Sequence, residues 1–139
     1  MGKKSDAQLK AISDKSDACI KTGNTLLKVL LVWPPLNAEW DKWEPEMLKL
    51  PDYEKHPYII KRYAVWGKGK ELSGQLRSEM QALTHAVDDF RNYLAKKEKS
   101  KNPFKSKASL PGSKALVRTY DKVLKDYSGI VSLGNKAFH

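Results

Sequence analysis

The stretch "LSGQLRSEMQALTHAVDDFRNYLAKK", Leu72 to Lys97, has the clearest periodic pattern in the chain. Its apolar residues recur at spacings of three and four, which places them on one face of an α-helix. They are Leu72, Leu76, Met80, Leu83, Val87, Phe90 and Leu94. Because this stripe drifts little along the helix, it suits lengthwise packing against an antiparallel helix. The stretch therefore predicts a helix over 72–97 inside a helical bundle.

A second helix is predicted over 6–33, where Ser5 or Asp6 can cap the start. Its apolar residues fall in one sector of the helix: Leu9, Ile12, Cys19, Ile20, Leu26, Leu27, Leu30 and Leu31. Pro34 and Pro35 are expected to end it, because proline removes backbone donors and restricts the preceding residue.

A third helix is predicted over 113–133, with Gly134 ending it. Its inner face carries Leu116, Tyr120, Val123, Tyr127 and Val131. A short aromatic-rich helical segment is expected between the first and second helices, and "GKGK", Gly67 to Lys70, is expected to break or bend the chain. The prediction is an all-α protein, a small bundle of three amphipathic helices (about 6–33, 72–97 and 113–133). The whole chain, 1–139, is expected to form one domain with a flexible Lys-rich linker at about 96–113.

Composition narrows the possible classes of protein. The chain has 139 residues, of which 40% are hydrophobic and 30% charged, a balance typical of a soluble globular domain. Its one cysteine, Cys19, excludes an internal disulfide and a cysteine-based metal site. No segment approaches the ~18 apolar residues of a membrane span, so we expect no transmembrane segment and a cytoplasmic location.

Charge is unevenly distributed along the chain. Residues 1–54 contain 8 Lys and 9 acidic residues, a net charge of −1. Residues 55–139 contain 18 Lys or Arg and 7 acidic residues, a net charge of +11. An asymmetry of this size is typical of proteins that bind a polyanion or associate through complementary charge.

No catalytic or cofactor motif is found. The histidines, His56, His85 and His139, are scattered, with no ligand at metal-binding spacing. "GKELSGQL", Gly69 to Leu76, lacks the Lys-Ser/Thr pair of a phosphate-binding loop. We therefore expect a protein that is not an enzyme and holds neither metal nor cofactor.

Three basic segments are candidates for contact with a polyanion. On the third helix, Lys114, Arg118, Lys122 and Lys125 lie on the side opposite the apolar stripe. The linker region contributes Lys96, Lys97, Lys99, Lys101, Lys105 and Lys107. The segment 55–70 interleaves Lys61 and Arg62 with aromatic rings, a mixture typical of single-stranded nucleic-acid binding and equally of core packing. For the other two segments, the alternative is a solvated surface without a ligand.

The apolar stretch "TLLKVLLVWPPLNAEWDKW", Thr25 to Trp43, has two main interpretations. In the first, the diproline forms a corner and the tryptophans close the end of the core. In the second, the stretch is an exposed docking surface for a protein partner or another copy of the chain. The docking residues would be Trp33, Trp40 and Trp43 with Glu39, Asp41, Glu44 and Glu46.

The leading hypothesis is a basic helical protein that binds nucleic acid or another polyanion with low sequence specificity. Protein–protein interaction or assembly through the acidic Trp-rich segment 33–50 is the alternative. Peripheral contact with an anionic membrane ranks third.

Overall fold

The computed structural model of the chain is a bundle of three long helices. It describes residues 3–98 and 110–138, without the side chains of 3–5, 97–98, 110–114 and 116. The helices are α1 (Lys3–Met47), α2 (Pro57–Glu98) and α3 (Leu110–Ala137), with a short 3₁₀ turn at Tyr53–Lys55. The described ranges contain no strand. The predicted all-α helical bundle is confirmed.

The helices α1 and α2 run antiparallel and form a hairpin. Midway along it, the Thr22 hydroxyl donates a hydrogen bond to Glu79 Oε1 (2.9 Å). Toward the turn, Arg62 Nη2 donates to Asn37 Oδ1 (3.0 Å). Residue numbers thus rise along α1 as they fall along α2.

Helix α3 packs against both helices of the hairpin. The Arg91 guanidinium on α2 forms an ion pair with Asp121 on α3. At the other end, the Trp33 and Phe138 rings lie 5.5 Å apart between their centroids. Helix α3 is therefore antiparallel to α2 and parallel to α1, an up-down-up arrangement.

The core runs along the whole three-helix part of the bundle. The stripe predicted on α2 faces it: Met80 is half-buried and the six other members are buried. The rest of the core is formed by Ile12, Cys19, Leu26 and Trp33 on α1, Val117 on α3, and Phe138 directly after α3. Each fully buried Leu or Phe side chain is worth about 1.5–3 kcal/mol relative to leaving it in water, so this stripe supplies much of the driving force for folding.

The predicted end of the first helix at the diproline is wrong. Helix α1 continues through Pro34 and Pro35 to Met47, so the aromatic-rich segment is its last third rather than a separate element. The missing proline N–H groups weaken the helix locally. Packing against α2 offsets that cost, because Leu36 and Met47 are buried there.

The predicted break at "GKGK" is also absent. Helix α2 begins at Pro57, where a proline without a donor is well tolerated, and passes through Gly67 to Lys70 without interruption. Gly69 is buried beneath the ring of Phe138, so its role is to permit close packing.

The apolar stretch Thr25 to Trp43 is partly core and partly surface. Leu26 and Trp33 are buried, whereas Leu31 keeps 77% of its surface exposed and Trp43 keeps 44%. Because α1 does not turn at the diproline, the tryptophans do not fold back as the corner interpretation requires. No described helix has the length and apolar character needed to cross a membrane.

The hairpin of α1 and α2 extends past the described residues of α3. Phe138 lies level with Trp33 on α1 and with Gly69 on α2. We call residues 34–66 the hairpin end. Within the hairpin end, the ring contacts and interhelical hydrogen bonds of the described residues connect only α1 with α2.

Candidate functional site

The cations predicted on the third helix form a row on the outer side of α3. Arg118, Lys122 and Lys125 are all exposed, on the side opposite half-buried Tyr120, Val123 and Tyr127. Lys114 lies in the same helix, but its side chain is outside the described part. We call Arg118, Lys122 and Lys125 the α3 row. The helical periodicity that predicted this placement brings the three charges together over two turns.

Lys136 continues the same side of α3 and was not predicted. It is exposed and follows Arg118 by 18 residues, which is about five full helical turns. The spacing of 18 residues could have indicated this position. It was missed because the third helix was predicted to end at residue 133, before Lys136.

The described carboxylates leave the α3 row without a partner. The ion pairs among described residues are Lys10–Asp14 and the contacts of Arg91 with Asp88 and Asp121, and none includes a member of the row. Asp121, the acidic residue nearest in sequence to Lys122, is paired with Arg91 on α2. The row therefore forms no ion pair within the described part of the protein.

The linker lysines are only partly visible. Lys96 is exposed near the end of α2. Lys97 lies in α2, but its side chain is not described. The remaining predicted contacts, Lys99, Lys101, Lys105 and Lys107, lie outside the described residues.

Arg62 has a different environment from that of a solvated phosphate contact. Its guanidinium carbon lies 5.2 Å from the Trp33 ring centroid and 4.9 Å from that of Trp40. With its hydrogen bond to Asn37, these contacts direct Arg62 toward α1, and its role as a polyanion contact stays a prediction. Its neighbour Lys61 is exposed.

The predicted docking residues are divided between core and surface. Trp33 is buried, and Trp40 is half-buried and stacks on Tyr58, with the two ring planes 7° apart. Trp43 is the most exposed of the three tryptophans. The acidic residues Glu39, Asp41 and Glu46 are exposed, and Glu44 is half-buried.

The acidic residues act on the stacked tyrosine. The pKa of Tyr58 is raised, first by burial and then by the nearby Glu39 and Asp41 carboxylates, while the Arg62 charge acts in the opposite direction. Its hydroxyl donates a hydrogen bond to the Leu36 carbonyl oxygen of α1, so the tyrosine ties the hairpin end together.

An apolar groove between α1 and α3 was not predicted. It has a volume of about 500 Å³, and its floor and rims include Leu27, Leu31, Pro34 and Leu133. The sequence periodicity placed Leu27 and Leu31 in the core. Both are exposed, and both lie on the flank of the α1 stripe that borders the groove.

The described residues present neither a metal cluster nor a reactive thiol. They contain no group of three or more His, Cys, Asp or Glu side chains able to hold a metal ion. Burial and the nearby Glu79 carboxylate raise the pKa of the Cys19 thiol to about 11, which keeps it in its unreactive protonated form. His56 Nδ1 accepts a hydrogen bond from the Tyr58 N–H at the start of α2, a structural role.

Comparison with protein-family models, curated proteins and solved structures finds no match to this chain.

Proposed function

We propose that this protein is a non-enzymatic binding protein that contacts nucleic acid or another polyanion through the outer face of α3. The observation that carries the proposal is the exposure of Arg118, Lys122 and Lys125 on one face, with no ion pair to any described carboxylate. The net charge of +10 adds long-range attraction for a negatively charged partner.

The geometry of the row favours contact with a phosphate backbone. Successive cations lie about 5 Å apart along the helix axis, which is a scale suited to neighbouring phosphates. The chain contains only four arginines among its 26 basic residues. Lysine binds phosphate as a point charge without the bidentate geometry that reads a base, so the binding is expected to be weakly sequence-specific.

A salt titration tests this proposal. Binding of labelled duplex DNA, single-stranded DNA and RNA is measured by fluorescence anisotropy between about 50 and about 200 mM salt. The affinity should fall steeply with salt and differ little between unrelated sequences. Negligible binding of all three probes at the lowest salt would overturn the proposal.

A matched pair of triple variants separates the α3 face from net charge. Arg118→Glu, Lys122→Glu and Lys125→Glu together should abolish most binding and reduce the salt slope by about three. The control is Lys21→Glu, Lys28→Glu and Lys42→Glu, which changes the net charge equally at exposed positions of α1. Equal losses in both variants would mean that α3 is not the binding face.

Vesicles of anionic and neutral lipid, tested beside the nucleic acids, distinguish a membrane surface from a nucleic acid.

A second candidate function, self-association, is favoured by the groove between α1 and α3. Leu31 and Leu133 are more than half exposed and line the same groove. The exposed Glu39, Asp41 and Glu46 of one copy suit contact with residues 55–139 of another, which carry a net charge of +11. Light scattering over a concentration series should show a dimer or larger species that Leu31→Ser weakens. A monomer at every concentration would exclude this candidate.

A further inference from the structure

A cavity of about 250 Å³ lies where the hairpin end meets the last residues of α3. It is lined by Trp33, Asn37, Arg62, Tyr63, Trp66 and Ala137. Its walls therefore combine three aromatic rings with one guanidinium and one amide.

Arg62 lines this cavity, and one of its nitrogen atoms lacks a hydrogen-bond partner. Its Nη2 group donates to Asn37 Oδ1, but its Nε atom is buried and has no hydrogen-bond partner. A buried donor without an acceptor costs about 1–3 kcal/mol, and the cost is greater for a charged group. None of the ion pairs among the described residues includes Arg62, so its charge also lacks a described counter-ion.

The guanidinium is held in place before any ligand arrives. Trp33 and Trp40 contact it at 5.2 and 4.9 Å, and the hydrogen bond to Asn37 fixes its plane. A charged group that is already ordered loses little conformational entropy on binding. The ordered fork of Arg62 suits a carboxylate or phosphate group, which offers oxygen acceptors and the missing negative charge.

The aromatic walls define the rest of the ligand. Tyr63 keeps 63% of its surface exposed, and Trp66 is half-buried with Lys70 Nζ 4.9 Å from its ring centroid. These rings offer stacking area to a planar group, and Lys70 adds a second positive charge nearby. Since a cavity of about 150 Å³ holds benzene in another protein, the present volume suits one ring with an anionic substituent.

We propose that this cavity binds a small organic anion in which one planar ring carries a carboxylate or phosphate group. The anion bonds to Arg62 and the ring stacks between Tyr63 and Trp66. This site does not depend on the α3 row, because none of the row's residues lines the cavity.

The experiment uses the full chain and four small probes. Tryptophan fluorescence and saturation-transfer NMR follow titration with benzoate, phenyl phosphate, neutral benzyl alcohol and ring-free acetate. Saturable binding of benzoate or phenyl phosphate is expected, with at least about tenfold weaker binding of benzyl alcohol and acetate. No saturation by benzoate or phenyl phosphate up to about 10 mM, or equal binding of benzyl alcohol, would overturn the proposal.

Variants locate the site. Arg62→Gln should weaken benzoate binding at least about tenfold, whereas Lys61→Gln, which removes the same charge from an exposed neighbour, should leave it unchanged. Because Arg62 also contacts α1, Tyr63→Ala provides a second test at a largely exposed position where folding is not at risk. Binding that survives both Arg62→Gln and Tyr63→Ala, or that Lys61→Gln weakens equally, would place the anion elsewhere.

Discussion

The ring of Phe138, the residue that follows α3, lies directly against the backbone of Gly69 on α2. A β-carbon at residue 69 would overlap this ring, and Phe138 is itself fully buried. The close contact explains why a glycine stands in the middle of a long helix, where it otherwise costs about 0.5–1 kcal/mol relative to alanine.

Gly69→Ala should therefore lower the free energy of unfolding by about 1–3 kcal/mol, because the added methyl group displaces the Phe138 ring. Gly67→Ala is the matched control, since a β-carbon added at residue 67 would meet nothing within 4 Å. It should raise stability by about 0.5–1 kcal/mol through helix propensity. Urea denaturation measures both, and stabilisation by both substitutions would contradict the Gly69–Phe138 packing.

Pro34→Ala should stabilise the protein by about 1–3 kcal/mol. Pro34 is exposed inside α1, and alanine restores a backbone donor four residues after Leu30. Pro57→Ala is the control, because proline at the first position of α2 costs no hydrogen bond, and its effect should be near zero or slightly destabilising. A loss of stability in Pro34→Ala, measured by urea denaturation, would argue that α1 bends at the diproline.

The Cys19 thiol should be inert in the folded protein. Burial and Glu79 raise its pKa to about 11, and the residue is fully enclosed. At pH 8, reaction with a thiol reagent should be slow in buffer and fast in denaturing urea. Fast reaction in buffer would contradict the buried position.

The raised pKa of Cys19 also makes the stability of the protein depend on pH. The folded protein holds the thiol proton more tightly than the unfolded chain, whose pKa is near 9.0. This contribution is fully present below pH 9 and is lost as the pH rises toward 11. Cys19→Ala should therefore show a smaller decline in stability across this interval than the unchanged protein, and an equal decline would count against the raised pKa.

The ion pair between Arg91 and Asp121 should contribute little to stability. Both side chains are more than a third exposed, so water screens the attraction. A double-mutant cycle with Arg91→Ala and Asp121→Ala should give a coupling energy below about 1 kcal/mol, and decreasing with salt. A larger, salt-independent coupling would indicate that the pair is buried in solution.

Periodicity was sufficient to predict the bundle and most of its core. The stripe from Leu72 to Leu94 turned inward as predicted, because apolar residues at spacings of three and four bury together in any helical packing. Helix ends were less predictable. Pro34 and Gly69 have local preferences that favour a break, and only contacts with distant residues such as Phe138 outweigh those preferences.

The candidate sites were likewise predictable only where they depend on local spacing. The α3 row follows from spacing within one helix, so the sequence was enough to place Arg118, Lys122 and Lys125 on one face. The environment of Arg62 depends on Trp33, which is 29 residues away in the sequence. A local sequence pattern cannot predict this contact, because it depends on the register between α1 and α2.

The two-helix architecture of the hairpin end sets an order in which the molecule opens. Backbone amides there have one neighbouring helix to protect them, while those between Leu72 and Leu94 lie in the three-helix part. We expect deuterium to enter the hairpin end through local fluctuations and to reach the central part of α2 only when the whole molecule unfolds.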